Sequence, residues 1–189
     1  MPPADIEPLR YFTLPGWLNS DATHWQSRWE AEHGCRRVEQ NDWIWPRRGD
    51  WMTRLEEALL DSHVPAVLIA HSLGCHLVAA WAAHSKHTER VRAALLVAPP
   101  DTERHAMPPN LFSWRPVSRL PLPFASLVVV SRDDPYCTPE RAATMARDWR
   151  SASFDIGARG HLNGESGLGD WPQGRTLLRT LLGRSQTDR

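Results

Sequence analysis

Short apolar runs rich in β-branched residues alternate along this chain with longer helical patterns, and that alternation restricts the fold more than any other feature. The strongest run is Ala66 to Ala70 (AVLIA). It is apolar throughout, as expected of a strand buried on both faces of a parallel sheet. Arg92 to Ala98 (RAALLVA) and Leu127 to Val130 (LVVV) have the same character. Arg10 to Leu14, halted by Pro15-Gly16, reads as a strand, Arg37 to Gln40 as a weak one and Ser153 to Ile156 as a short one. Helices are predicted over Thr23–Glu32, with Asp21 or Thr23 as N-cap and Gly34 as terminator, and over Asp50–Leu60, with Asp50 as cap and Trp51, Leu55 and Leu59 on one face. Further helices are expected over Ser72–Ala83, from Thr138 to about Arg150 with Pro139 in the first turn, and over Gly174–Leu182. Strands joined by helical crossovers predict an α/β fold, with a mostly parallel central sheet and helices on both faces.

A chain of 189 residues suits one domain, 1–189, with little room for a second. No internal repeat is present. The Pro-rich stretch 99–124 lacks periodicity and is expected to form a flap, packed through Met107, Leu111, Phe112 and Trp114. The tail 184–189 is expected to fray. The 22 basic and 22 acidic residues cancel and the arginines are scattered, so no nucleic-acid partner is expected. No apolar run approaches the roughly 20 residues that span a bilayer, so no membrane association is expected. The N-terminal stretch has neither a basic n-region nor an apolar h-region, and Cys35, Cys75 and Cys137 are odd in number without CxxC spacing. Both features fit a cytoplasmic protein. The 10 Trp are unusual for this length. Trp is foremost a packing residue; a groove for carbohydrate or aromatic ligands is the alternative use.

The chemistry concentrates where the AVLIA strand meets the next helix, at Ala70-His71-Ser72-Leu73-Gly74. This is the G-x-S-x-G nucleophile elbow with Ala in the first Gly position. The turn demands small residues two before and two after the Ser, because larger side chains would collide with the neighbouring strand or helix. At a helix N-terminus the dipole and free N–H groups favour a developing anion, although a Ser there can also be a simple cap. A nucleophilic Ser needs a base, and the base an orienting acid. The LVVV strand runs into Ser131-Arg132-Asp133-Asp134-Pro135, and the last short strand into Gly160-His161, so acids and a His follow Ser72 in the order used by α/β-hydrolases. Asp133 and Asp134 both qualify as the acid, and the residue left over is expected to cap the turn or face solvent. His105 is the other available base. His84 and His87 have ligand-like i, i+3 spacing but no carboxylate or Cys cluster beside them, so no metal is expected. Cys75 reads as a small buried hydrophobe. After the first strand, Gly16 permits close approach of a loop whose Trp17 N–H can join that of Leu73 as an oxyanion donor.

With these residues in view the chain resembles the retinoblastoma-binding-protein-nine-like small serine hydrolases of the α/β-hydrolase superfamily. The resemblance lies in LPGWLNSDATHWQSRWE (14–30), VLIAHSLGCHLVAAWA (67–82), ALLVAPPD (94–101), LPLPFASLVVVSRDDPYC (120–137) and GHLNGESGLGDWPQG (160–174). It implies a compact α/β-hydrolase with no separate cap domain, no cofactor, Ser72 as nucleophile and His161 as base. It implies Asp134, the Asp before Pro, as the acid, and Trp17 and Leu73 as the oxyanion positions. Asp133 stands where the family often has Asn, an extra charge expected to raise the pKa of the pair. The expected activity is hydrolysis of a small ester, thioester or amide, carboxylesterase-like or aminopeptidase-like. Cofactor-free perhydrolysis uses the same residues. Leu18, Met107, Phe112, Trp114, Tyr136 and Leu162 are the expected lining of an apolar acyl pocket, suited to a modest uncharged acyl group on a small-molecule substrate. The alternative is a hydrolase-fold binding or scaffolding module with little turnover.

Overall fold

The computed structural model describes residues 8–187. In chain order the elements are β1 (Arg10–Leu14), α1 (Trp25–His33), β2 (Arg36–Arg37), α2 (Arg48–Leu60), β3 (Ala66–His71), α3 (Leu73–His84), β4 (Val91–Val97), β5 (Ala125–Val130), α4 (Pro139–Asp148), β6 (Ala152–Asp155) and α5 (Pro172–Thr187). Short 3-10 helices sit at Thr88–Arg90, Pro109–Trp114 and Gly164–Ser166. The strands form one six-stranded sheet in the order β2-β1-β3-β4-β5-β6, with every pairing parallel. All strand C-termini therefore open on one edge. The order reverses direction between β1 and β3, which opens a crevice at that edge.

The apolar strands are buried on both faces, and their side chains alternate between two cores. Phe12, Leu14, Leu68, Ala70, Leu96 and Val128 pack with α2, α3 and α4 on one side. Val67, Ile69, Leu95, Val97 and Val129 pack with α1 and α5 on the other. Most Trp rings fill these layers. Trp25, Trp29 and Trp171 form one cluster, and Trp43, Trp51 and Trp114 a chain of edge-to-face contacts. Packing thus accounts for most of the unusual Trp content.

Several element ends differ from expectation. α1 is capped by His24, whose Nδ1 accepts from the Gln26 N–H at 3.1 Å. Asp21 instead closes the preceding turn, accepting from the Thr23 and His24 N–H groups. Gly34 ends the helix at φ 71°, as its freedom in the left-handed region predicts. Asp50 lies inside the first turn of α2, which begins after Arg47. β2 is Arg36–Arg37 and not the run to Gln40. α5 begins at Pro172, a favourable first-turn residue, and runs on through Thr187 where a frayed tail from 184 was expected; residues 188–189 lie outside the described residues. The 99–124 stretch has only its 3-10 helix, and it lies on the body through buried Thr102, Leu111, Trp114, Val117 and Leu122. Among the described residues no helix is long and apolar enough to cross a membrane.

Three histidines lie deep in this frame. Burial pushes His24 and His76 down to about 4, and His71 well below its ordinary value. They are neutral in the folded chain but take up protons near pH 6.5 once unfolded, so the unfolded state binds more protons between about pH 4 and 6.5. Stability therefore rises with pH across that window, His24 and His76 each withdrawing on the order of 1–3 kcal/mol as the pH falls through it and His71 acting in the same direction. Melting temperature should be level above pH 7 and drop steeply between pH 6.5 and 4; a flat profile over pH 4–8 would contradict this burial.

Candidate active site

The join between β3 and α3 is backbone strain held in place by sheet and helix. Ser72 has φ 54° and ψ −124°, a conformation costing an L-residue on the order of 1–3 kcal/mol. Its N–H still reaches the Val97 carbonyl of β4 at 2.9 Å, so the sheet pairing extends into the turn. The demand for small residues is visible at two glycines. A Cβ on Gly74 would overlap the Leu14 carbonyl, and one on Gly16 would come within 2.7 Å of the Ser72 Cβ. Ala70, the departure from the elbow motif, is fully buried in β3 and pairs in register with Leu14 and Leu96. Gln26 of α1, also fully buried, ties the two strands together below the turn. Its amide donates to the Leu14 carbonyl at 3.2 Å and the Ile69 carbonyl at 2.9 Å.

Two loops from the same sheet edge meet Ser72. The loop after β6 brings His161 Nε2 to 2.8 Å from the Ser72 Oγ. The loop after β5 brings the Asp134 carboxylate to 2.9 and 3.0 Å from His161 Nδ1. A carboxylate only accepts, so Nδ1 carries the proton, Nε2 presents its lone pair, and the Ser72 hydroxyl donates to it. The His161 and Asp134 side chains are 9% and 3% exposed, so water hardly competes for these bonds. Asp134 Oδ1 also accepts from the Tyr136 N–H at 2.9 Å, which fixes its rotamer.

His161 stands between Gly160 and Leu162, both at positive φ (59° and 53°), and each residue of this strained trio is pinned by a side chain from another element. The Gly160 N–H donates to Asp133 Oδ1 at 2.7 Å. The His161 carbonyl accepts from His71 Nε2 at 2.8 Å. The Leu162 carbonyl accepts from Trp25 Nε1 at 2.8 Å. Asp133, which also accepts from Ser131 Oγ at 2.9 Å, thus joins the acid loop to the histidine loop. Its carboxyl is held below the usual range, first by the Gly160 N–H and then by Ser131, so the expected rise from a second charge is not seen at Asp133. Sequence reasoning missed Trp25 and Gln26, because nothing local marks a side chain whose partner is a backbone carbonyl many residues away; His71, beside the elbow, reads from sequence as a packing or hydrogen-bonding residue, and it is one.

A cleft of about 420 Å³ opens above Ser72. Of the expected lining, Leu18, Met107 and Tyr136 stand at its wall, with Trp17, Leu73, His24, Pro100, Arg104, Leu111 and Asn163, among others. Three expected lining residues are elsewhere. Trp114 is 1% exposed in the core, with Nε1 donating to the Pro46 carbonyl. Leu162 is fully buried in the α1–α5 core, because its positive φ turns it inward after His161. Phe112 is half exposed outside the cleft, where Arg115 lies over its ring. Neither the Trp17 nor the Leu73 N–H makes a backbone hydrogen bond among the described residues, and both belong to cleft-lining residues. Cys75 and Cys137 are buried, and burial pushes the Cys75 thiol well up and that of Cys137 up to about 12, so neither offers a thiolate. His105 is exposed and off the cleft wall. Glu32, His33 and Asp170 have metal-ligand spacing on the surface, but Arg175 already bonds both His33 and Asp170.

A parallel sheet with helices on both faces, a strained elbow Ser and an acid–imidazole pair from later loops of the same edge together define an α/β-hydrolase. The chain belongs to the serine hydrolase family, whose pattern matches residues 11–180. No curated protein matches it. Among solved structures it is similar to a YdeN-like hydrolase from Pectobacterium atrosepticum, with 28% identity over 94% of this chain and 92% of that one and a TM-score of 0.82. The ydeN gene product of Bacillus subtilis superposes with a TM-score of 0.70 at 18% identity, over 93% of this chain and 100% of that one. An esterase domain from Rhodothermus marinus gives 0.63 at 18% identity, covering 94% and 89%. The last two likenesses concern the fold alone.

The pinned loop makes Asp133 testable apart from any activity. Asp133→Ala frees the Gly160 N–H and should speed amide exchange over residues 160–162 by about tenfold, the equivalent of one such bond. Asp133→Asn keeps an oxygen that accepts from Gly160 and should stay within about threefold of the parent. Equal acceleration in both variants would mean that charge, not the hydrogen bond, holds the loop.

Proposed function

We propose that this serine hydrolase cleaves a small ester, thioester or amide through an acyl-enzyme, with Ser72 as nucleophile, His161 as general base and Asp134 as the acid that orients it. The observation that carries this reading is the continuous relay from Asp134 through His161 to a Ser hydroxyl at the floor of an open cleft. As the Ser72 Oγ attacks the acyl carbon, its proton passes to His161 Nε2, and Asp134 stabilises the imidazolium that forms. The carbonyl oxygen becomes an oxyanion, for which the Trp17 and Leu73 N–H groups are the proposed donors. His161 then returns the proton to the leaving alcohol, thiol or amine as its bond to the acyl carbon breaks. Water enters, gives a proton to His161 and attacks the acyl-enzyme; the proton goes back to Ser72 as the acid product departs. The apolar wall of Met107, Leu111 and Trp17 supports acyl groups of modest size.

Incubation with a fluorophosphonate, followed by intact mass and peptide mapping, should give one adduct on Ser72 that prior denaturation abolishes. Ser72→Ala should lose the adduct and at least about 10³-fold in kcat/KM on p-nitrophenyl esters while keeping its melting temperature. Asp134→Asn should cost on the order of 10²–10⁴-fold, because it permits the wrong imidazole tautomer, and far more than Asp133→Asn. A folded protein without an adduct would instead favour a binding or scaffolding role for the cleft.

A further inference from the structure

The 99–124 stretch carries a cation to the cleft wall that the proposed chemistry does not use. Arg104 lines the cleft beside Tyr136, its guanidinium 5.5 Å from the centre of that ring, and the Tyr136 ring lies 4.6 Å from that of His161. The cation thus stands one ring away from the base. It is also held in place. Arg104 Nη1 donates to the Pro135 carbonyl at 2.8 Å, and its own carbonyl accepts from Arg115 Nη2 at 2.7 Å. Arg115 is fixed in turn by the Thr102 carbonyl.

What Arg104 lacks is a counter-charge. Its sequence neighbours Asp101 and Glu103 both turn to Arg141, at 3.2 and 2.5 Å, and Glu103 also bonds the Val117 N–H. No carboxylate pairs with Arg104 among the described residues, and its Nε is buried without a hydrogen-bond partner. The acidic residues at the cleft wall, Asp21 and Glu165, come from the loops after β1 and β6, and Asp21 is engaged by Thr23 and the His24 N–H. A half-buried, immobilised guanidinium at a cleft wall attracts an anion, because partial desolvation raises the cost of leaving it unpaired; with Nη1 on the Pro135 carbonyl and Nε buried, Nη2 is the donor left for a carboxylate.

We propose that Arg104 is the specificity-determining residue of this cleft, and that the substrate carries a carboxylate within reach of it. The proposal rests on the hydrolase reading of Ser72 and narrows it: the apolar lining alone suited an uncharged acyl group, and Arg104 adds an anionic subsite. The carboxylate belongs either to the acyl chain or to the leaving group.

Both positions, and the hydrolase reading itself, separate in one set of measurements. The probes are p-nitrophenyl butyrate (neutral), p-nitrophenyl hemisuccinate (acyl-side carboxylate) and the butyrate ester of 4-hydroxy-3-nitrobenzoate (leaving-group carboxylate). Binding of each is titrated on the Ser72→Ala protein, where turnover plays no part, with and without Arg104→Gln. One of the anionic esters should bind at least tenfold more tightly than the neutral one. Arg104→Gln should reduce that ratio by about 10- to 100-fold, the loss of one charge-assisted hydrogen-bonded pair. Arg104→Lys, which keeps the charge but not the planar guanidinium held by Pro135, should fall between. Which anionic ester is favoured tells on which side the carboxylate lies. Equal binding of all three esters, or a ratio unaltered by Arg104→Gln, overturns the proposal. Turnover by the protein with Ser72 intact is read separately: anion-selective binding without hydrolysis or fluorophosphonate labelling would sink the hydrolase reading and leave the Arg104 subsite standing.

Discussion

The close approach of the end of β1 to the start of α3 is the contact on which the rest of the site depends. Gly74 lies against the Leu14 carbonyl, and Gly16 against Ser72. This fit leaves no room for side chains, so the chain must turn sharply, and Ser72 is forced to positive φ. Strain of that kind persists only where the surroundings over-determine it. Here they do: β3 is paired on both sides, Gln26 binds both strand ends, and the Ser72 N–H continues the ladder to β4. A buried, fully parallel sheet is what makes a strained Ser affordable.

The imidazole is held differently. It sits on an irregular loop with two left-handed residues beside it, and no ladder reaches there. Its position comes from three side chains, each bonded to one backbone group of residues 160–162. Two of them lie on the elbow and on the helix that braces the elbow: His71 is the residue before Ser72, and Trp25 is the residue before Gln26 in α1. The Ser72 hydroxyl and the His161 imidazole are thereby referenced to the same scaffold. The deep burial of His71 keeps it neutral, and because a carbonyl only accepts, its one ring proton sits on Nε2 and donates to the His161 carbonyl.

The fold class and strand positions were legible because burial on both faces of a parallel sheet leaves an unbroken apolar run, and AVLIA, RAALLVA and LVVV are such runs. The elbow was legible because its residues must be small, a local requirement. Asp133 and Asp134 could not be separated from composition or spacing. Their roles differ only in direction, Asp134 toward His161 and Asp133 toward Gly160, and direction is a property of the folded loop. Cap residues misled for a similar reason. Asp21 has the chemistry of an N-cap, but the chain makes one more turn before the helix begins, and His24 takes the position.

The pocket shows where local reading ends. Phe112, Trp114 and Leu162 have the apolar character of a lining, yet one faces outward and two are packed in the cores. An apolar residue in a loop can serve core or cleft, and only the path of the backbone chooses. Arg104, His24 and Asn163 reach the wall of the cleft although nothing in their local sequence sets them apart. What this chain's sequence determined alone were the elements whose physics is local: apolar strands, capped helices, and a small-residue turn around a Ser followed by acids and a His. The tertiary structure alone decided what braces the imidazole's loop and which charge stands at the cleft, and it alone gives a physical reason for the acid that the family resemblance implied, because each depends on groups that meet only after the chain has folded.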